Sequence, residues 1–97
     1  MAYAKIALPF KDPNEVLDYT LNWAERLVLD TIATSVWSFA LDPDNLLIID
    51  SESETTTTTT VWLSGGTVAE VYELTNRITT AGGRTMDQTV KIKIKSK

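Results

Sequence analysis

The chain contains no cysteine and no histidine. The first absence removes disulfide staples, thiolate metal ligands and cysteine nucleophiles together. The second removes the usual general base near neutral pH, a common zinc ligand and the usual partner of a nucleophilic serine. Enzymes and metal centres thus lose their commonest parts, no cofactor is expected, and binding or structural roles are left. No apolar run approaches the roughly 20 residues of a membrane helix, so no membrane partner is expected. The start, Met1 to Ile6, shows neither a long apolar stretch nor a small-residue cleavage site, which makes cytoplasmic synthesis the default. Glycine is scarce, and all four occur as two pairs, Gly65-Gly66 and Gly82-Gly83. Neither pair has the strand-to-helix setting of a phosphate-binding loop, so both read as turn positions at positive φ.

What is present fits one domain with one core. The 97 residues are 43% apolar and 23% charged, ordinary globular values. The net charge of -4 is unevenly spread. Met1 to Thr60 carries ten acidic residues against three basic ones, and the remainder carries three acidic against six basic. Such polarity favours head-to-tail association of copies or docking on a charged partner; the plainer alternative is a difference in surface charge without consequence.

From Val61 to Lys95 the chain reads as three strand-and-turn units: Val61-Trp62-Leu63 before one Gly-Gly pair, Val71 to Thr80 before the other, then Thr89 to Lys95. The pattern predicts an antiparallel meander. Tyr72 stands just inside the middle strand with Leu74 two residues on, the arrangement of a tyrosine corner in an immunoglobulin-like sandwich. Upstream, Thr31 to Ala40 is rich in β-branched and aromatic residues and predicts a strand with Trp37 as the natural core tryptophan. Leu46 to Ile49 is short enough for a buried strand, and the threonine tract Thr55 to Thr60 reads as the beginning of the next strand. Leu17 to Trp23 has two readings. Leu17, Tyr19, Leu21 and Trp23 alternate with polar residues as in a half-buried strand. Yet Asp12 also suits a helix cap, with Pro13 at the first helical position and Glu15 three residues after the cap. Taken as a strand, the segment brings the count to six or seven, and the fold class to an all-β, immunoglobulin-like antiparallel sandwich over residues 12–97. Residues 1–11 form an N-terminal arm or first strand, with Ala4, Ile6, Leu8 and Phe10 on one parity and Pro9 marking an edge or an ending.

Candidate sites are few. Asp42-Pro43-Asp44-Asn45, with Asp30 or Asp50, offers hard oxygen ligands of the calcium type, but Asp, Pro and Asn each favour turns for local reasons. Glu52 and Glu54 are spaced for no paired-carboxylate chemistry that an exposed crossing could tune, and read as solvated surface. Lys91, Lys93, Lys95 and Lys97 alternate with Ile92, Ile94 and Ser96. The lysines thus share one strand face, either as a guard against strand addition or as contacts for an anionic partner. A nucleic-acid partner is not expected, because the pI is about 4.6 and no aromatic stacking motif accompanies the stripe.

Asp12-Pro13, Leu17-Asp18-Tyr19, Leu21-Asn22-Trp23, Asp30-Thr31-Ile32 and Trp37 begin a longer pattern. It continues through Thr60-Val61-Trp62-Leu63-Ser64-Gly65-Gly66-Thr67, Tyr72, Thr75-Asn76, Ile78-Thr79-Thr80 and Gly82-Gly83-Arg84. The chain from Asp12 onward resembles a family of small structural (virion) proteins of tailed bacteriophages. The stretch Ala24 to Asp30 departs from that pattern, lacking a second tryptophan and a glycine often seen there. The resemblance implies an immunoglobulin-like sandwich, a strand at Leu17 to Trp23, and a place in the virion after synthesis in the bacterial host. The expected function is a non-enzymatic head decoration or neck-associated module acting in many copies. Its partners would be capsid, neck or tail proteins and further copies of itself. Candidate contacts are Tyr3, Ile6, Leu8 and Phe10 of the arm, which would add a strand or an apolar anchor to a neighbour, and Lys91, Lys93 and Lys95. Candidate core residues are Trp37, Tyr72 and Leu74. The alternative is an adhesion or carbohydrate-binding module of a fibre or tail, with Trp62 as the sugar platform if it points outward.

Overall fold

The computed structural model describes residues 4–97. Seven strands and one helical turn follow in order: β1 Ile6–Ala7, β2 Leu17–Asn22, α1 Ala24–Leu27, β3 Ile32–Leu41, β4 Leu47–Glu54, β5 Thr58–Gly65, β6 Val71–Thr80 and β7 Thr85–Lys93. They form two sheets, β1-β7-β6-β3 and β2-β5-β4, packed as a sandwich. Alternation of side chains along each strand sends one parity inward. Tyr19, Leu21, Val61 and Leu63 from one sheet, and Trp37, Tyr72, Leu74, Ile78, Val90 and Ile92 from the other, fill a single core with Trp23, Leu27, Leu47 and Ile94.

The strand reading of Leu17 to Trp23 holds as β2, with Trp23 just beyond its end. The capping signal nonetheless forms: Glu15 Oε1 accepts the Asp12 amide at 2.7 Å, and Asp12 Oδ1 accepts that of Asn14 at 2.8 Å. No helix follows, because period-two burial of Tyr19 and Leu21 is what the sandwich rewards.

Several expectations need correction. Val61 to Lys95 is not a meander: β6 and β7 form a hairpin, but β5 lies in the other sheet, paired to β2 and β4. A crossing between sheets is what a tyrosine corner marks, so the two sequence readings excluded one another. Leu47–Ile49 is not buried on both faces; it opens the edge strand β4, with Leu47 inside and Ile48 exposed. The threonine tract starts its strand only at Thr58. Before that, the Thr55 hydroxyl accepts the amides of Thr57 and Thr58 and closes a turn. Gly65 and Gly66 do take positive φ, but Gly82 does not; its constraint is space, since an added Cβ would lie 2.8 Å from Asp30 Oδ2.

Between α1 and β3, Val28 and Leu29 adopt φ of 49° and 66°. Left-handed backbone is costly for a β-branched residue, and this is the stretch where the resembled pattern has glycine. Arg84 holds the loop in place. Its guanidinium donates to Asp30 Oδ2 through Nε and Nη2 and to the Leu27 carbonyl through Nη2. Asp30 also accepts the Gly82 amide. The result is that Leu29 is fully exposed and Val28 is 72% exposed.

Candidate interaction surfaces

The first surface is built by the N-terminal segment. β1 runs parallel to β7 of its own chain, Ile6 opposite Val90 and Ala7 opposite Lys91. The pairing continues through the Leu8 amide on the Lys91 carbonyl and a bridge between Lys11 and Ile94. The segment is therefore part of the sandwich rather than an arm extended toward a neighbour. Its partly buried Leu8 packs on the core, while Ile6 and Phe10 stay exposed. Tyr3 lies outside the described residues. Lys11 ends the segment fully buried, its ammonium donating to the carbonyls of Asp12 and Gly65. Burial pushes its pKa down from the ordinary lysine value, against the nearby Glu15 and Asp12 charges. Nothing in the sequence marked this lysine, because an isolated charged residue beside a turn reads as solvated.

The second surface is the lysine stripe. Lys91, Lys93 and Lys95 are exposed on the outer face, with Ile92 and Ile94 beneath them in the core. The stripe does not guard a sheet edge, since β7 lies between β6 and β1. It joins the arm: Lys95 Nζ stands 4.2 Å from the Phe10 ring centroid, a cation–π contact, and Lys5 bridges Glu73 at 2.8 Å, in the row of Lys91. Arg77 and Asp87 form a further bidentate pair on that face, which holds the Asp87 carboxyl below its usual range.

The acidic turn is consumed locally. Tyr72 Oη donates to Asp44 Oδ1 at 2.7 Å and accepts the Thr67 amide at 3.0 Å, while Thr67 Oγ1 donates to Asp44 Oδ2. These bonds lower the Asp44 pKa. Asp42 accepts the Asn45 amide. Among the described residues, no group of three or more acidic side chains converges as a metal site. Glu52 is not simply solvated, since its carboxylate accepts the Trp37 amide at 3.0 Å and bonds the two sheets together.

The architecture repeats that of a solved domain. The solution structure of the PKD domain from KIAA 1837 protein superposes with a TM-score of 0.53 at 17% identity, covering 96% of this chain and 79% of that one. At this identity the likeness establishes the immunoglobulin-like fold alone. No curated protein matches the chain significantly. A family model described as podophage GP4 fiber-tail adaptor protein gp77 matches residues 11–93. The chain belongs to that family. Its match opens at the buried Lys11 and closes at Lys93, so the gp77 family frame takes in the whole sandwich except β1.

Within this gp77 family member the candidate core residues are where a sandwich needs them: Trp37 is 4% exposed, and Tyr72 and Leu74 are wholly buried. Sequence reasoning placed Trp23 on the apolar parity of its strand but missed its buried partner Asn76. Trp23 Nε1 donates to Thr59 Oγ1 at 3.0 Å and Asn76 Oδ1 at 3.1 Å, and the Thr59 hydroxyl donates to Asn76 Oδ1 at 2.6 Å. The Asn76 amide nitrogen donates to Ser35 Oγ and the Val36 carbonyl. For Asn76 the sequence signal was a polar residue between Leu74 and Ile78 on the inward parity of β6. A third surface lies beside Trp23: a groove of about 350 Å³ between β1 and β2, lined by Ile6, Leu8, Leu21 and Trp23 with Thr20, Asn22, Glu25, Arg26 and Gln88.

Proposed function

We propose that the chain is a non-enzymatic virion protein, an adaptor module that holds a tail fibre to the tail through protein–protein contacts. The observation that carries this reading is the family match over residues 11–93, whose description is that of a fibre–tail adaptor. The fold supports it. Strand directions place Val28 and Leu29 at one end of the sandwich and Leu41, Leu46 and Val68 at the other, and all five are exposed. Large apolar side chains at both ends suit a connector, which has to bury surface against two different neighbours. A head-decoration or neck position, the placement expected from the sequence, is the competing location, and the family description favours the fibre–tail junction over it. Partners are then proteins of the tail and fibre, with further copies of the chain, and Lys91, Lys93 and Lys95 are the face offered to acidic surface.

Amine-reactive cross-linking of purified particles followed by peptide mass spectrometry tests the placement. Cross-links from Lys91, Lys93 and Lys95 to tail and fibre proteins are expected; cross-links confined to capsid or neck proteins would overturn the assignment. A second reading rests on Trp62, which is 40% exposed on the outer face of β5 beside Asp18 and Ser51. A glycan array decides it. Sugar binding that disappears with Trp62→Ala would make this face a carbohydrate platform, whereas an adaptor shows no sugar dependence.

A further inference from the structure

Of the four sheet edges among the described residues, three are blunted and one is not. β1 is two residues long. β3 is interrupted by register shifts near both of its ends, between Ile32 and Thr34 and between Phe39 and Leu41. β4 carries a shift between Ile49 and Ser51 and the acidic side chains of Asp50, Glu52 and Glu54, with Glu52 reaching over to the Trp37 amide. These are the devices by which natural sheets refuse another strand. β2 is neither short nor shifted in register, and Asp18 is its single charged residue. It runs six residues in unbroken register with β5, and it contains neither proline nor lysine.

The open side of β2 also has free hydrogen-bonding groups. The Trp23 amide donates to the Thr57 carbonyl, so Trp23 and, by alternation, Leu21, Tyr19 and Leu17 direct their backbone groups to β5. Asp18, Thr20 and Asn22 consequently direct theirs away from the sheet. Beside them lies the groove between β1 and β2, with Ile6 on its exposed rim and Leu8, Leu21 and Trp23 in its lining. An unguarded strand edge bordering an apolar trough is the recognition chemistry for an extended peptide: backbone bonds give affinity, and the trough takes every second side chain.

We propose that this edge accepts an extended segment of another virion protein, which pairs with β2 as a fourth strand of its sheet and fills the groove with alternate apolar side chains. The inference rests on the adaptor reading for the class of partner. Charge selects the segment. Exposed Asp18 and Glu25 border the edge, and no cation of the described residues forms an ion pair with either. Arg26, beside them, is turned onto the Trp23 ring and donates to the Asp87 carbonyl and Gln88. The partner strand therefore carries lysine or arginine between its apolar positions. A second copy does not supply it from its own basic strand, because Lys91–Ile94 is already paired on both sides.

Hydrogen exchange on the peptide covering Leu17–Asn22, compared between the isolated chain and purified particles, reads the pairing. Exchange at least tenfold slower in the particle is expected. Thr20→Pro removes an amide that β5 does not use, a change edge strands tolerate, and the variant is expected to fold yet fail to enter particles. Ile6→Lys, on the exposed rim of the groove, is expected to fail likewise, which covers the case in which the proline variant does not fold. Equal exchange in both states, or normal incorporation of folded Thr20→Pro and Ile6→Lys, would overturn the proposal. So would an isolated chain that sediments as a dimer with β2 already protected, since the edge would then belong to a second copy. Failure of the adaptor reading would look different: cross-links would lie away from the fibre–tail junction while β2 stayed protected.

Discussion

Replacing Asn76 is the sharpest test of how this sandwich is held together. The side chain is wholly buried and satisfied at both ends, accepting from Trp23 Nε1 and Thr59 Oγ1 and donating to Ser35 Oγ and the Val36 carbonyl. Asn76→Leu keeps the branched shape, at a larger volume, and deletes all four bonds. The Trp23 indole retains Thr59 Oγ1 as an acceptor, but the Thr59 hydroxyl loses its own, and Ser35 Oγ and the Val36 carbonyl each lose a donor. One stranded buried hydroxyl at about 1–3 kcal/mol and two lost hydrogen bonds at about 0.5–1.5 kcal/mol each give a loss of about 2–6 kcal/mol, a large share of the roughly 5–15 kcal/mol of a typical domain. Urea unfolding followed by tryptophan fluorescence measures it. With a slope of about 1.5 kcal/mol/M, a 3 kcal/mol loss lowers the midpoint by about 2 M. Thr59→Val alone strands the Asn76 oxygen only in part and should cost less. In a Trp23→Phe background, where no indole is left without an acceptor, the pair Thr59→Val/Asn76→Leu removes donor and acceptor together and should be more stable than the sum of the two losses implies, by about 1 kcal/mol or more. A midpoint unchanged by Asn76→Leu, or strictly additive losses, would refute the view that this network is a coupled inter-sheet tie.

Four further outcomes follow from the same structure. Trp23→Phe should destabilise by about 1–2 kcal/mol more than Trp37→Phe, because the Trp23 indole has two acceptors while Trp37 Nε1, though buried, has no partner among the described residues; matched denaturation curves compare them. Tyr72→Phe should cost about 1–3 kcal/mol by freeing the Thr67 amide and Asp44, and equal stability with wild type would show that the corner is ornamental. Val28→Gly should raise thermal stability by up to about 1 kcal/mol, since the side chain is exposed and φ is 49°, with a fall in stability counting against strain at this position. Asp30 is held at a pKa of about 2 by Thr80 and by the Thr31 and Gly82 amides, with Arg84 adding to the effect. Its folded value lies below the unfolded one, so the unfolded chain binds the extra proton, and the stabilisation present above about pH 4 disappears as pH falls through 2. Asp30→Asn should therefore flatten the acid limb of a stability–pH profile.

The fold was legible where one face of a strand is buried and the other is wet. Leu17 to Trp23, Trp37 in its strand, and Tyr72 with Leu74 all follow from period-two alternation and turn chemistry. What was not legible depended on pairing across sequence distance. A Gly-Gly turn after Leu63 looks the same whether the next strand returns beside β5 or crosses to the other sheet, which is why the crossing was read as a meander. Ile6 and Leu8 show a parity but not a partner, so a strand that pairs with β7 of its own chain read equally well as an arm for a neighbour. The groove and the open β2 edge have no sequence signature, because an edge is defined by the strand that is missing.

The absence of cysteine, met first as an exclusion, sets a physical problem that the polar side chains answer. In antibody domains a disulfide joins the second and sixth strands through the core, and here Leu74 occupies the place two residues after the corner tyrosine. The cross-sheet ties lie elsewhere. Near one end, Trp23 at the end of β2 is bonded to Asn76 of β6 through buried nitrogen and oxygen. At the other, Lys11 beside β7 donates to the Gly65 carbonyl of β5, and Tyr72 of β6 is tied to the loops carrying Asp44 and Thr67. Along one flank, Glu52 of β4 takes the Trp37 amide of β3. Three sides of the sandwich are thus closed by hydrogen bonds that span the layers. The fourth, between β1 and β2, has the Tyr19 hydroxyl on the Pro9 carbonyl at 3.4 Å, Arg26 beyond the end of β2 on the Asp87 carbonyl and Gln88 of β7, and between them the groove. A partner strand seated there would complete the closure, so binding at β2 should raise the unfolding temperature of the whole domain rather than of one edge.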